Sequence, residues 1–236
     1  MIETSTEETP DGGRIRTVCI ARPERANAFT PAGLDALEEA VVDADAPVVY
    51  LHGAGDAFSA GADLDVVAEL DDPAAFARRG QRVATAIAEA DPVVVAGVDG
   101  AARGGGVELA LACDLRVASP AATFAETGVT FGLFGAWGGT VRLPAVVGQG
   151  DAMDLALSGR VVDATEAHRM GLVSRVVEEP RTVAEEVAGN VPGALRRVKE
   201  LLRAAGDRTS RERAEAEAFA ALYEAHGEAL GADRED

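Results

Sequence analysis

Two short runs constrain this chain more than anything else in it: "PVVYLHG" at 47–53 and "PVVVAGVDG" at 92–100. Each is nearly continuous in apolar residues and opens on a proline. A strand that faces water on one side alternates apolar with polar residues. A run without alternation is buried on both faces, as in a parallel sheet covered by helices. Between the two lies "AAFARRGQRVATAIAEA" (74–90), with apolar residues at helical spacing. Ahead of them, "GGRIRTVCIARP" (12–23) alternates and reads as a strand. "TPAGLDALEEAVVDAD" (30–45) reads as a helix, with Thr30 as cap and Pro31 at the first helical position. After the second run, "ARGGGVELALACD" (102–114) opens a helix on a glycine cluster, and "LRVAS" (115–119) returns to strand. Strands alternating with helices predict an α/β protein. Beyond Glu179 the pattern is helical only.

The chain has 236 residues, enough for one large core or a core with a small appendage. No stretch reaches the roughly 18 uninterrupted apolar residues of a membrane span. The opening "MIETSTEETPDGG" is acidic and polar, unlike a signal or transit peptide, and is expected to be a frayed tail over 1–13. The expected core covers 14–180 and a helical C-terminal region 181–236. Cys19 and Cys113 lie in apolar runs without metal-like spacing, so both are expected to be buried free thiols of a cytoplasmic protein.

Forty acids against 22 bases leave a net charge of −18, and Lys199 is the only lysine. Such a surface repels nucleic acid and anionic membranes, so neither is an expected partner. Acidity with scarce lysine resembles a halophile's surface. A GC-rich genome would also favour arginine and alanine, but it does not account for so many acids.

Two glycine-containing stretches carry the chemistry. "DAFSAGADL" (56–64) follows the first buried run, and its Ala60-Gly61-Ala62 leaves backbone N–H groups uncovered. Bare N–H groups in a pocket stabilise negative charge developing on a carbonyl oxygen. A plain tight turn is the alternative. Gly104, Gly105 and Gly106 open the next helix, where free N–H groups and the positive end of the helix dipole point outward. Glu108 lies in that helix's first turn, a place that favours an acid for capping alone. A phosphate loop is disfavoured, because neither Gly-Lys-Ser/Thr nor GxGxxG spacing is present.

Taken together, "AFSAGADL" (57–64) and "PVVVAGVDGAARGGGVELALACDLRVAS" (92–119) resemble the crotonase (enoyl-CoA hydratase/isomerase) superfamily. The resemblance extends through "RPERANAF" (22–29), "GGTVRLPAVVG" (138–148), "SGRVVDATEAHRMGLVSRVV" (158–177) and "PGALRRVKELL" (192–202), nearly the whole chain from Arg14 on. It implies a crotonase-like ββα spiral core with a helical C-terminal trimerisation region, assembling as a homotrimer or dimer of trimers. The implied substrate is an acyl-CoA thioester. No separate cofactor and no metal is implied, since coenzyme A arrives with the substrate.

The resemblance further implies that Ala60 and Gly105 supply the two N–H donors of an oxyanion hole and that Glu108 is the catalytic acid–base. Ala26, Ala28, Ala62, Asp63, Leu64 and Gly104 would line the coenzyme A path, with Asp63 fixing its loop. Thr127, Gly128 and Trp137 would border the acyl group. Hydratases of this family use a second glutamate, and a gapless reading of "FAETGVTFGLFGAWGGTVRL" (124–143) puts its place at Gly128. A glutamate there would restore the missing carboxylate. Glu126, two residues earlier, would reach the site only from an extended segment, and is otherwise a solvated acid. Relatives continue into a last helix whose basic residue reaches the coenzyme A phosphates of a neighbouring subunit. Here "GADRED" (231–236) is acidic, which leaves Arg22, Arg25 and Arg103 as candidates for phosphate contact. The leading expectation is a hydratase or isomerase; the alternative is a non-catalytic acyl-CoA-binding homologue.

Overall fold

A computed structural model describes residues 1–227. In chain order the elements are β1 (Ile2–Glu8), β2 (Arg14–Ile20), α1 (Pro31–Val42), β3 (Val48–Gly53), β4 (Ala57–Ser59), α2 (Leu64–Ala68) and α3 (Pro73–Glu89). Then come β5 (Val93–Val98), β6 (Ala101–Arg103), α4 (Gly105–Ala112), β7 (Leu115–Ala118), β8 (Thr123–Ala125) and α5 (Gly139–Ser158), with a 3₁₀ turn over Thr127–Phe131 before α5. The chain continues through β9 (Val162–Asp163), α6 (Ala164–Arg169), β10 (Arg175–Val176), α7 (Arg181–Ala188), α8 (Pro192–Arg203) and α9 (Arg208–His226).

The two valine-rich runs form β3 and β5, parallel neighbours at the centre of a six-stranded sheet ordered β1-β2-β3-β5-β7-β10. Every residue of β5 is buried, which is why its sequence shows no alternation. A second sheet, ordered β4-β6-β8-β9, is built from shorter strands. Three times the chain runs from the large sheet into the small one and then into a helix: β3 to β4, β5 to β6, β7 to β8. This ββα repeat is structural only; its turns share no residue pattern. Where β5 passes into β6, Gly100 has φ +94°, and a Cβ on it would lie 2.2 Å from the Asp56 carbonyl oxygen. Only glycine permits the two corners to touch there.

Thr30 caps α1 as expected, its side chain accepting the Gly33 N–H at 3.2 Å, with Pro31 in the first turn. The first thirteen residues are not a frayed tail. Ile2–Glu8 form an edge strand, antiparallel to β2 in the register Ile2↔Ile20 to Glu8↔Arg14. Thr9–Gly13 close the hairpin, with the Thr9 N–H on the Gly13 carbonyl and the Gly13 N–H on Thr9 Oγ1. Ile2 packs partly against the core, but beyond it ladder hydrogen bonds hold this strand, and Glu7 pairs with Arg181 at 2.9 Å. Its charged, exposed residues suit an edge that must not recruit another strand. Cys113 is buried, whereas Cys19 on β2 is only partly so.

The chain divides into two compact units, Met1–Gly189 and Asn190–Asp236. Helix α7 packs on β2 and β3 and belongs to the first unit, so the boundary falls after Gly189 rather than at 181. In the second unit α8 packs on α9, and neither has a fully buried residue. The "GADRED" segment lies outside the described residues. Among the described residues, no helix is long and apolar enough to cross a membrane.

Candidate active site

The loop after β4 is tied down almost atom by atom. Asn27, fully buried with φ +58°, donates to the carbonyls of Ala54 (2.9 Å) and Ala57 (2.7 Å) and accepts the Arg22 N–H (2.9 Å). Ser59 Oγ donates to the Asn27 carbonyl at 2.9 Å and accepts the Gly61 N–H at 3.0 Å. The Ala60 N–H donates to the Ala26 carbonyl at 2.8 Å, and the Asp63 N–H to that of Phe29 at 3.0 Å. Ala60 therefore cannot supply the expected oxyanion donor: its hydrogen is engaged within the protein. Ala62 can, because its N–H makes no hydrogen bond among the described residues.

A glycine contact brings the second donor alongside. Gly61 has φ +84°, and a Cβ on it would stand 2.7 Å from the Gly105 nitrogen. Gly105 is the first residue of α4, and its N–H is another without a partner among the described residues. Gly104 (φ +46°) precedes it, its own N–H held by the Ala125 carbonyl at 2.9 Å. Ala62 and Gly105 both border a cavity of about 660 Å³ whose walls also include Ala26, Ala28, Leu64, Gly104 and Glu108.

Asp63 fixes this loop. Its carboxylate caps α2 through the Asp65 N–H (3.1 Å) and receives Arg22 (2.7 Å) and Arg25 (3.0 Å). Burial opposes its ionisation, but the two guanidiniums and the N–H prevail and hold its pKa at about 2. Arg22 and Arg25, expected as phosphate contacts, thus have protein partners. Arg103 has them too, donating to the carbonyls of Ala102 and Thr123 and to Thr123 Oγ1. Of the three, Arg25 and Arg103 border the cavity.

Glu108, buried in the first turn of α4, is held by Oε1, which accepts the N–H of Trp137 at 2.9 Å and of Gly139 at 2.6 Å. Burial raises its pKa; those two N–H groups and the Arg142 charge pull it back part of the way. Glu126, just after β8, is not solvated: it is 7% exposed, and its Oε1 has no hydrogen-bond partner among the described residues. Burial and then the Glu108 charge push its pKa up to about 8. Gly135 lies against both carboxyls. A Cβ on it would be 2.8 Å from Glu108 Oε2 and 2.9 Å from Glu126 Oε2.

Gly128 and Thr127 border the cavity, but Gly128 has no room for a side chain. A Cβ there would meet the Phe134 backbone, with Cα 2.8 Å away. The place that gapless reading gives the second glutamate is closed by the chain folding back over it. Trp137, also on the cavity wall, is 3% exposed and edge-on to Phe29 and Phe76, with ring centroids 6.3 and 5.9 Å apart. A smaller cavity of about 300 Å³, mostly apolar, adjoins at Phe134 and Gly135, which border both; Glu126, Leu143, Met153 and Leu157 line it. Sequence reasoning missed Asn27, Ala62 as a donor and Gly135. A buried asparagine beside a tight turn was the one legible signal, in "RPERANAF".

Two sheets joined by repeated strand crossings, a glycine-opened helix and a buried carboxylate on the same cavity as two unpartnered N–H groups define a class of site. Such a site can hold a carbonyl oxygen as it gains negative charge beside an acid–base group. Residues 12–228 match the family model described as enoyl-CoA hydratase/isomerase. The chain is 38% identical over 204 residues to a Rhizobium meliloti protein described as a probable enoyl-CoA hydratase, covering 82% of this chain and 79% of that one. It is 34% identical over 203 residues to the short-chain-enoyl-CoA hydratase of Clostridium acetobutylicum, covering 80% and 78%. The crystal structure of an enoyl-CoA hydratase from Bacillus anthracis superposes with TM-score 0.90 at 31% identity, covering 99% of this chain and 96% of that one. The chain belongs to the enoyl-CoA hydratase/isomerase family, the crotonase superfamily.

Proposed function

We propose that this protein is an acyl-CoA enzyme that hydrates or isomerises enoyl thioesters. The observation that carries the reading is the paired, unengaged N–H groups of Ala62 and Gly105 on the cavity that Glu108 also borders. The thioester oxygen takes both hydrogen bonds as the acyl group becomes an enolate, and each donor is worth about 3 kcal/mol in the transition state. Glu108, anchored through Oε1, keeps Oε2 for proton transfer. A buried carboxylate on the same cavity, its pKa raised by burial, favours an enzyme over a purely acyl-CoA-binding protein.

Coenzyme A would lie along Ala26, Ala28, Ala62 and Leu64, with Arg25 and Arg103 nearest its phosphates. We further read the protein as a cytoplasmic homotrimer or dimer of trimers. Neither α8 nor α9 has a fully buried residue, and Leu202, Phe219 and Tyr223 are exposed, which favours burial against other copies. The −18 charge supports a protein adapted to high salt.

Short and medium 2-enoyl- and 3-enoyl-CoA esters, incubated with the protein in high salt, test the reading. Glu108→Gln is expected to lower kcat by about two to four decades while the Kd for a saturated acyl-CoA changes little. Parental turnover in Glu108→Gln, with acyl-CoA affinity intact, contradicts it.

A further inference from the structure

The reading above uses one carboxylate and leaves Glu126 idle. Yet Glu126 is only 7% exposed, its Oε1 has no hydrogen-bond partner among the described residues, and its Oε2 converges with Glu108 Oε2 on one spot at Gly135. Two buried carboxyls that meet at one spot do not both ionise near neutral pH. Glu108 carries the charge better: two backbone N–H groups hold its Oε1, and Arg142 on α5 adds a favourable field. Glu126 has no such support. Among the described residues, the charge that acts on it is that of Glu108 on α4.

We propose that Glu126 is the second acid–base group of this site, delivering its proton to the α-carbon of a bound 2-enoyl thioester while Glu108 takes one from water. This rests on the acyl-CoA reading. The water oxygen bonds to the β-carbon and its proton passes to Glu108. The alkene electron pair moves onto the thioester as an enolate held by Ala62 and Gly105, and the enolate α-carbon then takes the Glu126 proton. Return of the proton from Glu108 to Glu126 restores the starting state. Phe134 and Gly135 border both cavities, so an acyl tail that continues into the smaller, apolar one crosses the spot where the two carboxyls meet. The second carboxyl thus comes from two residues before Gly128, whose own place is closed by the Phe134 backbone.

The test follows kcat and KM for crotonyl-CoA across neutral and alkaline pH, in the parent, Glu126→Gln and Glu126→Asp, with circular dichroism to confirm folding. Glu126→Gln is expected to lose about 10²–10⁴-fold in kcat with little change in KM. The parent's fall in kcat as pH rises through about 8, where Glu126 loses its proton, should vanish from the residual activity of that variant. Glu126→Asp should keep the alkaline limb at reduced kcat. Parental kcat in Glu126→Gln, or an alkaline limb that persists in it, overturns the assignment of Glu126 alone. If Glu126→Gln does not fold, a parent profile with no fall near pH 8 overturns the assignment instead. A parent that neither binds acyl-CoA nor turns over any enoyl-CoA overturns the acyl-CoA reading, and this inference with it.

Discussion

The indole of Trp137 occupies the place where a side chain on Gly105 would begin: a Cβ there would lie 2.4 Å from Cζ3 of the ring. On its other side the same ring lies against Gly80 of α3, where a Cβ would be 2.1 Å from Cδ1. Two glycines on separate helices thus make the slot for one tryptophan, and that tryptophan's backbone N–H anchors Glu108. Gly105→Ala is expected to destabilise the fold by about 1–3 kcal/mol through overpacking. Trp137→Phe in the same molecule should recover part of that loss, since a smaller ring yields space. Thermal melts of the two single variants and the double variant measure the coupling, and strict additivity would contradict the contact.

Adding a carboxylate at Gly128 does not repair the site. The Phe134 backbone stands within 3.1 Å of where the side chain would start, so Gly128→Glu must displace the 3₁₀ turn. We expect lower enoyl-CoA turnover and weaker acyl-CoA binding than in the parent. Raised hydration in this variant would mean that the segment folds differently.

Asp63 makes stability depend on acid pH. Its folded pKa of about 2 lies below the unfolded value of 3.8, so it stabilises the fold fully above the unfolded value. That contribution is lost as pH falls through the folded one. Asp63→Asn should therefore lower the melting temperature at neutral pH, with the gap closing between pH 3.8 and about 2. A gap that stays constant over this window would separate the stabilisation from the carboxylate's charge.

Salt should stabilise the protein. A net charge of −18 repels itself, and the proposed assembly would concentrate it, so screening is expected to favour both fold and assembly. Melting temperature and the associated fraction are expected to climb steeply up to molar potassium chloride. Acyl-CoA affinity should rise with them, because the ligand's phosphates approach an acidic surface. A flat melting curve series would remove the case for adaptation to high salt.

Much of the architecture is legible in the amino-acid order because it depends on near neighbours. The unalternating valines of β3 and β5, the Thr30–Pro31 helix start and the glycines opening α4 each encode a local conformation. Their order along the chain is enough to identify the family, and with it a site built on Gly105 and Glu108. Residues Ile2–Glu8 escaped this reading because an exposed edge strand, held by ladder hydrogen bonds to β2, needs no apolar pattern.

Which groups of the site are available was decided by tertiary contacts. Ala60 and Ala62 are equivalent on paper, both small residues beside one glycine. The Ala26 carbonyl, brought in by the left-handed turn at Ala26 and Asn27, takes the N–H of Ala60 and leaves that of Ala62 free. Glu126 and Gly128 differ in the same way: β8 carries the first into the pocket beside Glu108, while the returning Phe134 backbone closes the second. Sequence spacing reveals which residues share a face of one element. It does not reveal which distant carbonyl will accept a given N–H, or which chain segment will fold across a glycine, because those depend on where every other element has packed.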